Sequence, residues 1–217
     1  MSERVFIIGP GHVGRGLFRA FRASEVEVVG LHGKRPSGVA SSSGALPEEM
    51  SGANVVMVCV RDPQIDDALD ELMAATKSGL VERGTVILHT SAIAEPAGLL
   101  ALSDAGFPGG TFHPLVPFSD PDVAAELLRK GWVGIDGNNA AKSASRRLAG
   151  HVGARTLEIP LDTGIDGIRT EPVPRRFLLA HCIAGLPCCR LRADLPPRGL
   201  RLARARGKGT GPWRRRG

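Results

Sequence analysis

Tyrosine is absent from this chain, and seven phenylalanines and two tryptophans supply all of its aromatic side chains. Long apolar runs are missing as well. No stretch approaches the roughly 20 residues that a membrane-spanning helix requires, which argues against a helical span. The first strand-like run begins at Val5 with no charged-then-apolar leader before it, so the expectation is a soluble, cytoplasmic protein. The four cysteines fit that expectation. Cys59 lies in an apolar run, and Cys182, Cys188 and Cys189 cluster with His181 in one compact set rather than on the paired knuckles of a zinc site, so no metal is expected.

Acidic residues are scarce in one part of the chain only. Residues 169–217 hold twelve arginines and Lys208 against Glu171 and Asp194, a net charge of about +11, which leaves residues 1–168 at about −5 although the whole chain is +6. The basic end could meet phosphates, yet Phe177 and Trp213 are its only aromatics. Without a recognition module or stacking platform, nucleic acid is not the expected partner, and any binding would be weak, nonspecific and salt-sensitive.

What is present is concentrated at the start. Val5-Phe6-Ile7-Ile8 has the continuous apolar character of a strand buried on both faces, and it breaks into Gly9-Pro10-Gly11-His12-Val13-Gly14 before Leu17, Phe18 and Phe21 recur at helical spacing. Strand, glycine turn and helix in this order form the dinucleotide-binding fingerprint. Gly9 permits the sharp turn, Gly11 leaves room for a pyrophosphate, and Gly14 lets helix and strand approach. The helix start, with His12 and Val13, offers free N–H groups to phosphate. A purely structural tight turn is the competing reading.

An NAD-binding site of this type places a carboxylate about twenty residues further on, at the end of the second strand. None is found there. The strand Val26–Val29 runs into Gly30-Leu31-His32-Gly33-Lys34-Arg35-Pro36-Ser37, where His32, Lys34, Arg35 and Ser37 supply the cationic and hydroxyl donors suited to a 2′-phosphate. NADP(H) is therefore the expected cofactor, against the alternative of an ordinary solvated basic loop.

Further along, Ser41–Gly44 reads as a loop and Pro47–Met50 as a short helical turn. Val55–Val60 has strand character, and Ile65, Leu69 and Leu72 lie on one helix face behind a start at Asp62-Pro63. Val86–Leu88 is a strand, Leu99–Leu102 helical, Thr111–Leu115 a further segment, Trp132–Ile135 a strand, Ala140–His151 a helix and Arg155–Ile159 a last strand. This alternation predicts an α/β fold with a doubly wound parallel sheet over residues 1–160. Residues 161–217 are rich in Arg, Pro and Gly without sustained period, and are expected to be disordered.

With these motifs in place, the chain resembles a family of Rossmann-like NADP-dependent oxidoreductases that carry a C-terminal helical domain of unknown function and are related to NADP-linked reductases and prephenate-type dehydrogenases. The resemblance rests on Gly9–Gly14, Val60-Arg61-Asp62, His89-Thr90-Ser91-Ala92 and Phe112–Phe118, within residues 4–160. Ala92 stands where the family usually has Gly. The resemblance implies a helical domain opening with Tyr-His-Ala-Ala, which helps to shape the substrate pocket and commonly makes a homodimer. This chain departs from that pattern past Pro160. Pro172–Phe177 can be encoded as CCG GTA CCA CGC CGC TTC C, which one nucleotide later reads CGG TAC CAC GCC GCT TCC, or Arg-Tyr-His-Ala-Ala-Ser. The tail is accordingly read as an out-of-frame translation of the missing domain.

Ligands of an open parallel sheet sit beyond the C-terminal strand ends, where His89, Ser91 and His113 are predicted. His113 is the candidate acid/base for the proton that accompanies hydride transfer, and Ser91 the candidate orienter of a carbonyl. A turn or capping role competes for His113, and helix capping for Ser91. His89 is read as packed, and Asp62 as a cap with no catalytic role. The activity expected is hydride transfer between NADP(H) and a small carbonyl, imine or hydroxy-acid substrate, the alternative being a nucleotide-binding protein without turnover.

Overall fold

The computed structural model describes residues 2–91 and 96–158. Eight strands, β1 (Arg4–Ile8), β2 (Glu27–Gly33), β3 (Ser42–Ser43), β4 (Val55–Val58), β5 (Val86–His89), β6 (Gly109–Pro114), β7 (Trp132–Gly137) and β8 (Arg155–Glu158), form one sheet in the order β3-β2-β1-β4-β5-β6-β7-β8. The helices are α1 (His12–Arg22), α2 (Ile65–Lys77), α3 (Ala97–Asp104), α4 (Pro121–Leu128) and α5 (Asn139–His151), with 3-10 turns at Glu48–Gly52 and Asp62–Gln64.

The central strands are buried on both faces because their runs are apolar, as in Val5–Ile8 of β1 and Val55–Val58 of β4. Val5 and Ile7 join a core with Leu17 and Phe21 of α1, Leu128 of α4 and Leu148 of α5. Phe6 and Ile8 point the other way and pack with Leu69 and Leu72 of α2 and Leu102 of α3. This period of two is why the run 5–8 has no polar residue to spare. The first six strands follow the strand order of the doubly wound dinucleotide-binding fold, with its crevice where the chain reverses direction across the sheet, between β1 and β4.

Several expectations change. The sheet is not wholly parallel: β7 runs antiparallel to β6 and parallel to β8. The connection from β6 returns beside the strand it left, Leu115 N donating to Trp132 O at 2.7 Å, so the next strand must come back in the opposite sense. The second strand extends four residues past Val29, to Gly33, pairing with β1 through His32. The serine loop contains the two-residue β3, whose Ser42 pairs with His32. The helix α4 has no counterpart in the sequence reading. Its start is nonetheless marked: Asp120 Oδ1 accepts from Asp122 N at 2.8 Å and Val123 N at 3.3 Å, with Pro121 in the first turn. Asp62 opens a 3-10 turn without capping it, the N-cap position being Arg61. The domain boundary at 160/161, the substitution-bearing Ala92, the His181 and Cys182–Cys189 set, and the whole of 161–217 lie outside the described residues.

Candidate functional site

The turn after β1 is built by steric necessity. Gly9 has φ +109°, and a Cβ there would stand 2.6 Å from the Cys59 carbonyl oxygen, because β4 runs alongside. Its N–H donates to His32 O at 2.8 Å, tying the turn to β2 as well. Gly14 falls inside the first turn of α1 rather than before it, and its Cβ would lie 1.9 Å from Gly9 O. Both positions exclude any side chain.

Gly11 differs from both. It is the N-cap of α1 with φ −72° and ψ −173°, an extended conformation open to any residue, and a Cβ would meet nothing within 4 Å. Neither packing nor backbone strain demands glycine there. It borders the first-turn N–H groups of His12, Val13 and Gly14, which have no intrahelical acceptor. His12 is exposed, and its Nδ1 donates to Phe118 O at 2.8 Å.

The basic segment after β2 divides. His32, only 2 % exposed, stacks on Phe6 and has Nδ1 at 2.9 Å from Ser42 Oγ. It is a strand residue rather than a member of the open loop, because β2 is longer than its apolar run suggested. Lys34, Arg35 and Ser37 are exposed beyond the strand end. Lys34 Nζ pairs with Glu71 Oε1 of α2 at 2.9 Å, which raises the pKa of the ammonium. Ser37 Oγ accepts from Ala40 N at 3.2 Å, a turn-forming bond.

Beyond the strand ends lies an open cavity of about 530 Å³, lined by Val13 of α1, Thr90, His113 and the following Pro114–Phe118. His113 Nδ1 is 2.6 Å from the Thr90 carbonyl oxygen. A carbonyl only accepts, so Nδ1 carries the hydrogen and Nε2 keeps the lone pair. Burial pushes the His113 pKa down; the Thr90 carbonyl and the charge of Asp62 oppose that shift without cancelling it. Ser91 follows Thr90, is 7 % exposed and does not line the cavity. Nor does it cap α3, whose N-cap position is Pro96. His89 is buried, with Nε2 3.0 Å from Thr111 Oγ1. A smaller cavity of about 260 Å³, lined by Ala20, Ser24, Arg129 and His151 among others, contains none of the candidate residues. Among the described residues, no group of three or more His, Cys, Asp or Glu side chains is arranged to hold a metal ion, and no helix is long and apolar enough to cross a membrane.

No protein-family model matches the chain, and no curated protein matches it in sequence. Solved structures do. A protein of Bacteroides fragilis assigned as an NADP oxidoreductase aligns with 90 % of this chain and 82 % of its own, at a TM-score of 0.60 and 14 % identity. The pyrroline-5-carboxylate reductase of Coxiella burnetii aligns over 92 % of this chain and 87 % of its own (TM-score 0.55, 13 % identity). The 3-hydroxyisobutyrate dehydrogenase of Salmonella typhimurium aligns over 73 % and 56 % (TM-score 0.54, 16 % identity). At such identities the likeness is one of fold, and the chain has the Rossmann-like α/β fold that these dehydrogenases and reductases share.

Proposed function

We propose that the protein is an NADP(H)-dependent oxidoreductase acting on a small carbonyl, imine or hydroxyl-bearing substrate in the cavity beside His113. The observation that carries the reading is Gly11. A glycine required by neither its torsion angles nor its neighbours, at the mouth of a helix and flanked by two glycines that are so required, leaves space for a group outside the chain. A pyrophosphate suits that space, held by the N–H groups of the first turn of α1.

The 2′-phosphate is assigned to Arg35 and Ser37, with Lys34 contributing its charge from the Glu71 pair. His32 drops from this set on its burial. The neighbours named for NADP or for dehydrogenase and reductase activities lend the same direction to the reading.

When bound, the nicotinamide supplies or accepts the hydride. The remaining work is proton transfer, and the Thr90 bond leaves His113 Nε2 to perform it. As a neutral base, Nε2 takes the proton of a substrate hydroxyl; once protonated, it returns that proton to a carbonyl oxygen or imine nitrogen. The depressed pKa keeps the base form populated at neutral pH. Ser91 is buried two residues past β5 and off the cavity lining, so the orienting role is not carried forward to it. A second reading, nucleotide binding without turnover, is favoured by the composition of residues 161–217, where the resemblance implied a pocket-forming helical domain.

Titration with NADPH and NADH tests the proposal. NADPH is expected to bind at least about tenfold more tightly than NADH, and Gly11→Val to abolish binding of both while leaving the fold intact. Failure of the wild-type chain to bind either nucleotide would sink the reading. NADPH binding without oxidation across a carbonyl and imine panel would favour the second.

A further inference from the structure

Helix α1 presents His12, Gly16 and Arg19 at i, i+4 and i+7, a single stripe of its surface. The chain that follows His113 docks on this stripe at all three positions. His12 Nδ1–H donates to Phe118 O at 2.8 Å. The Phe118 ring lies against Gly16, where a Cβ would stand 2.7 Å from its Cε1 atom. Arg19 Nε reaches Asp122 Oδ1 at 2.9 Å. The docked segment is also the Pro114–Phe118 wall of the cavity.

These three anchors are unequal. The Arg19–Asp122 pair is well exposed on both sides, at 42 % and 74 %, and such pairs contribute little. The Phe118 contact is apolar and permits sliding. The His12 bond is directional and is the one nearest the glycine turn, one residue from Gly11. It also fixes the ring: with Nδ1–H spent on Phe118, Nε2 is the remaining polar atom of this exposed side chain on the first residue of α1. In the imidazolium form both nitrogens donate, one to the carbonyl and one to an anion. The charge of this ring acts on Asp120, which precedes α4 and also feels Arg19 of α1.

We propose that His12 is a positioning residue that couples phosphate occupancy of the glycine turn to the seating of the Pro114–Phe118 wall. The proposal rests on the nucleotide reading above. A phosphate oxygen bonded to Nε2–H immobilises the imidazole, and an immobilised imidazole holds the Phe118 carbonyl. The wall beside His113 is then held more firmly when nucleotide is present. Linkage makes the effect reciprocal: whatever seats the wall tightens the nucleotide by the same factor.

Amide hydrogen exchange across residues 115–120 of the full chain, with and without saturating NADP+, tests this. In the wild type, NADP+ is expected to slow exchange there about tenfold, within the usual range of coupling between sites. His12→Ala should exchange faster than wild type without nucleotide, and should not respond when NADP+ is bound. His12→Asn keeps an N–H near the Nδ1 position but has nothing at Nε2; it should match the unliganded wild type and also not respond. Protection that persists in either variant, or that is missing in nucleotide-bound wild type, overturns the coupling and leaves the cofactor reading standing. Absence of NADP+ binding to the wild type overturns both. His12 is exposed, so neither substitution opens a cavity that would compromise folding.

Discussion

His113 carries two properties set by different atoms. The Thr90 carbonyl decides which nitrogen holds the hydrogen, while burial decides how readily the ring takes a second one. Because burial lowers the pKa in the folded state, the unfolded chain binds more protons over the interval between the depressed value and the ordinary value of about 6.5. Stability therefore falls as pH drops below about 6.5 and levels off once the folded state also protonates. His113→Gln should flatten this acid limb in urea denaturations at pH 5 to 8. The same substitution should reduce turnover by about 10²–10⁴-fold with nucleotide affinity retained, the range for loss of a general acid/base. A preserved rate would remove His113 from the chemistry. The glycines separate in a parallel way. Gly9→Ala strains φ +109° and drives a Cβ into the Cys59 carbonyl, and should cost about 2–4 kcal/mol of stability. Gly11→Ala should cost less than about 1 kcal/mol, the scale of an N-cap change, while weakening NADPH binding. Chemical denaturation and nucleotide titration of the two variants measure both halves of that contrast.

Elements that bury a strong periodic pattern were readable before any coordinates. β1, α2 and α5 fall where apolar spacing put them, and the turn at Gly9–Gly14 could be placed because Gly9 and Gly14 each have a steric reason. The misplaced elements share a cause, since tertiary pairing decided them. β2 continues through Gly30 and Gly33, two residues of poor strand propensity, because β1 offers a partner ladder as far as His32. That extension converted His32 from a loop cation into a buried strand residue. The α4 segment was missed although Asp120-Pro121 is a helix-start signal, because a span of only eight residues shows little periodicity. The antiparallel sense of β7 has no local signature. At this scale the phosphate loop makes a sharp prediction: Arg35→Glu should weaken NADPH by about tenfold or more and leave NADH nearly unchanged, since only the former presents a phosphate to repel. Equal loss for both nucleotides would refute the assignment. The start of β1 supplies a stability test. Glu3 is buried and pairs with Arg147 of α5, which also donates to Ser143 Oγ at 3.0 Å. Arg147→Met strands that carboxylate and should cost about 1–3 kcal/mol, at the lower end of buried-pair losses because Arg147 is half exposed.

Over the whole molecule, two compositions meet near residue 160, and they differ in more than charge. Residues 1–158 alternate strand and helix with apolar faces that find partners on both sides of the sheet. After them, arginine, proline and glycine accumulate without a period, and acidic residues nearly vanish. Selection for a folded enzyme does not readily yield that mixture, whereas a GC-rich gene read in the wrong frame does, since Arg, Pro and Gly have the GC-richest codons. The frame argument carries a chemical consequence. Among the described residues the cavity beside His113 is walled by Val13 of α1, Thr90, His113 and the Pro114–Phe118 segment, and a further pocket-forming domain would have to come from the sequence that follows. We expect DNA sequencing from the codon of Pro160 onward to reveal an open second frame encoding Tyr-His-Ala-Ala and then amphipathic helices. Restoring that frame by one nucleotide should raise the rate at which the chain reduces or oxidises substrate. If the second frame is closed, the basic segment is genuine. A frame-restored chain that turns over substrate no faster would refute the link between the tail and the chemistry.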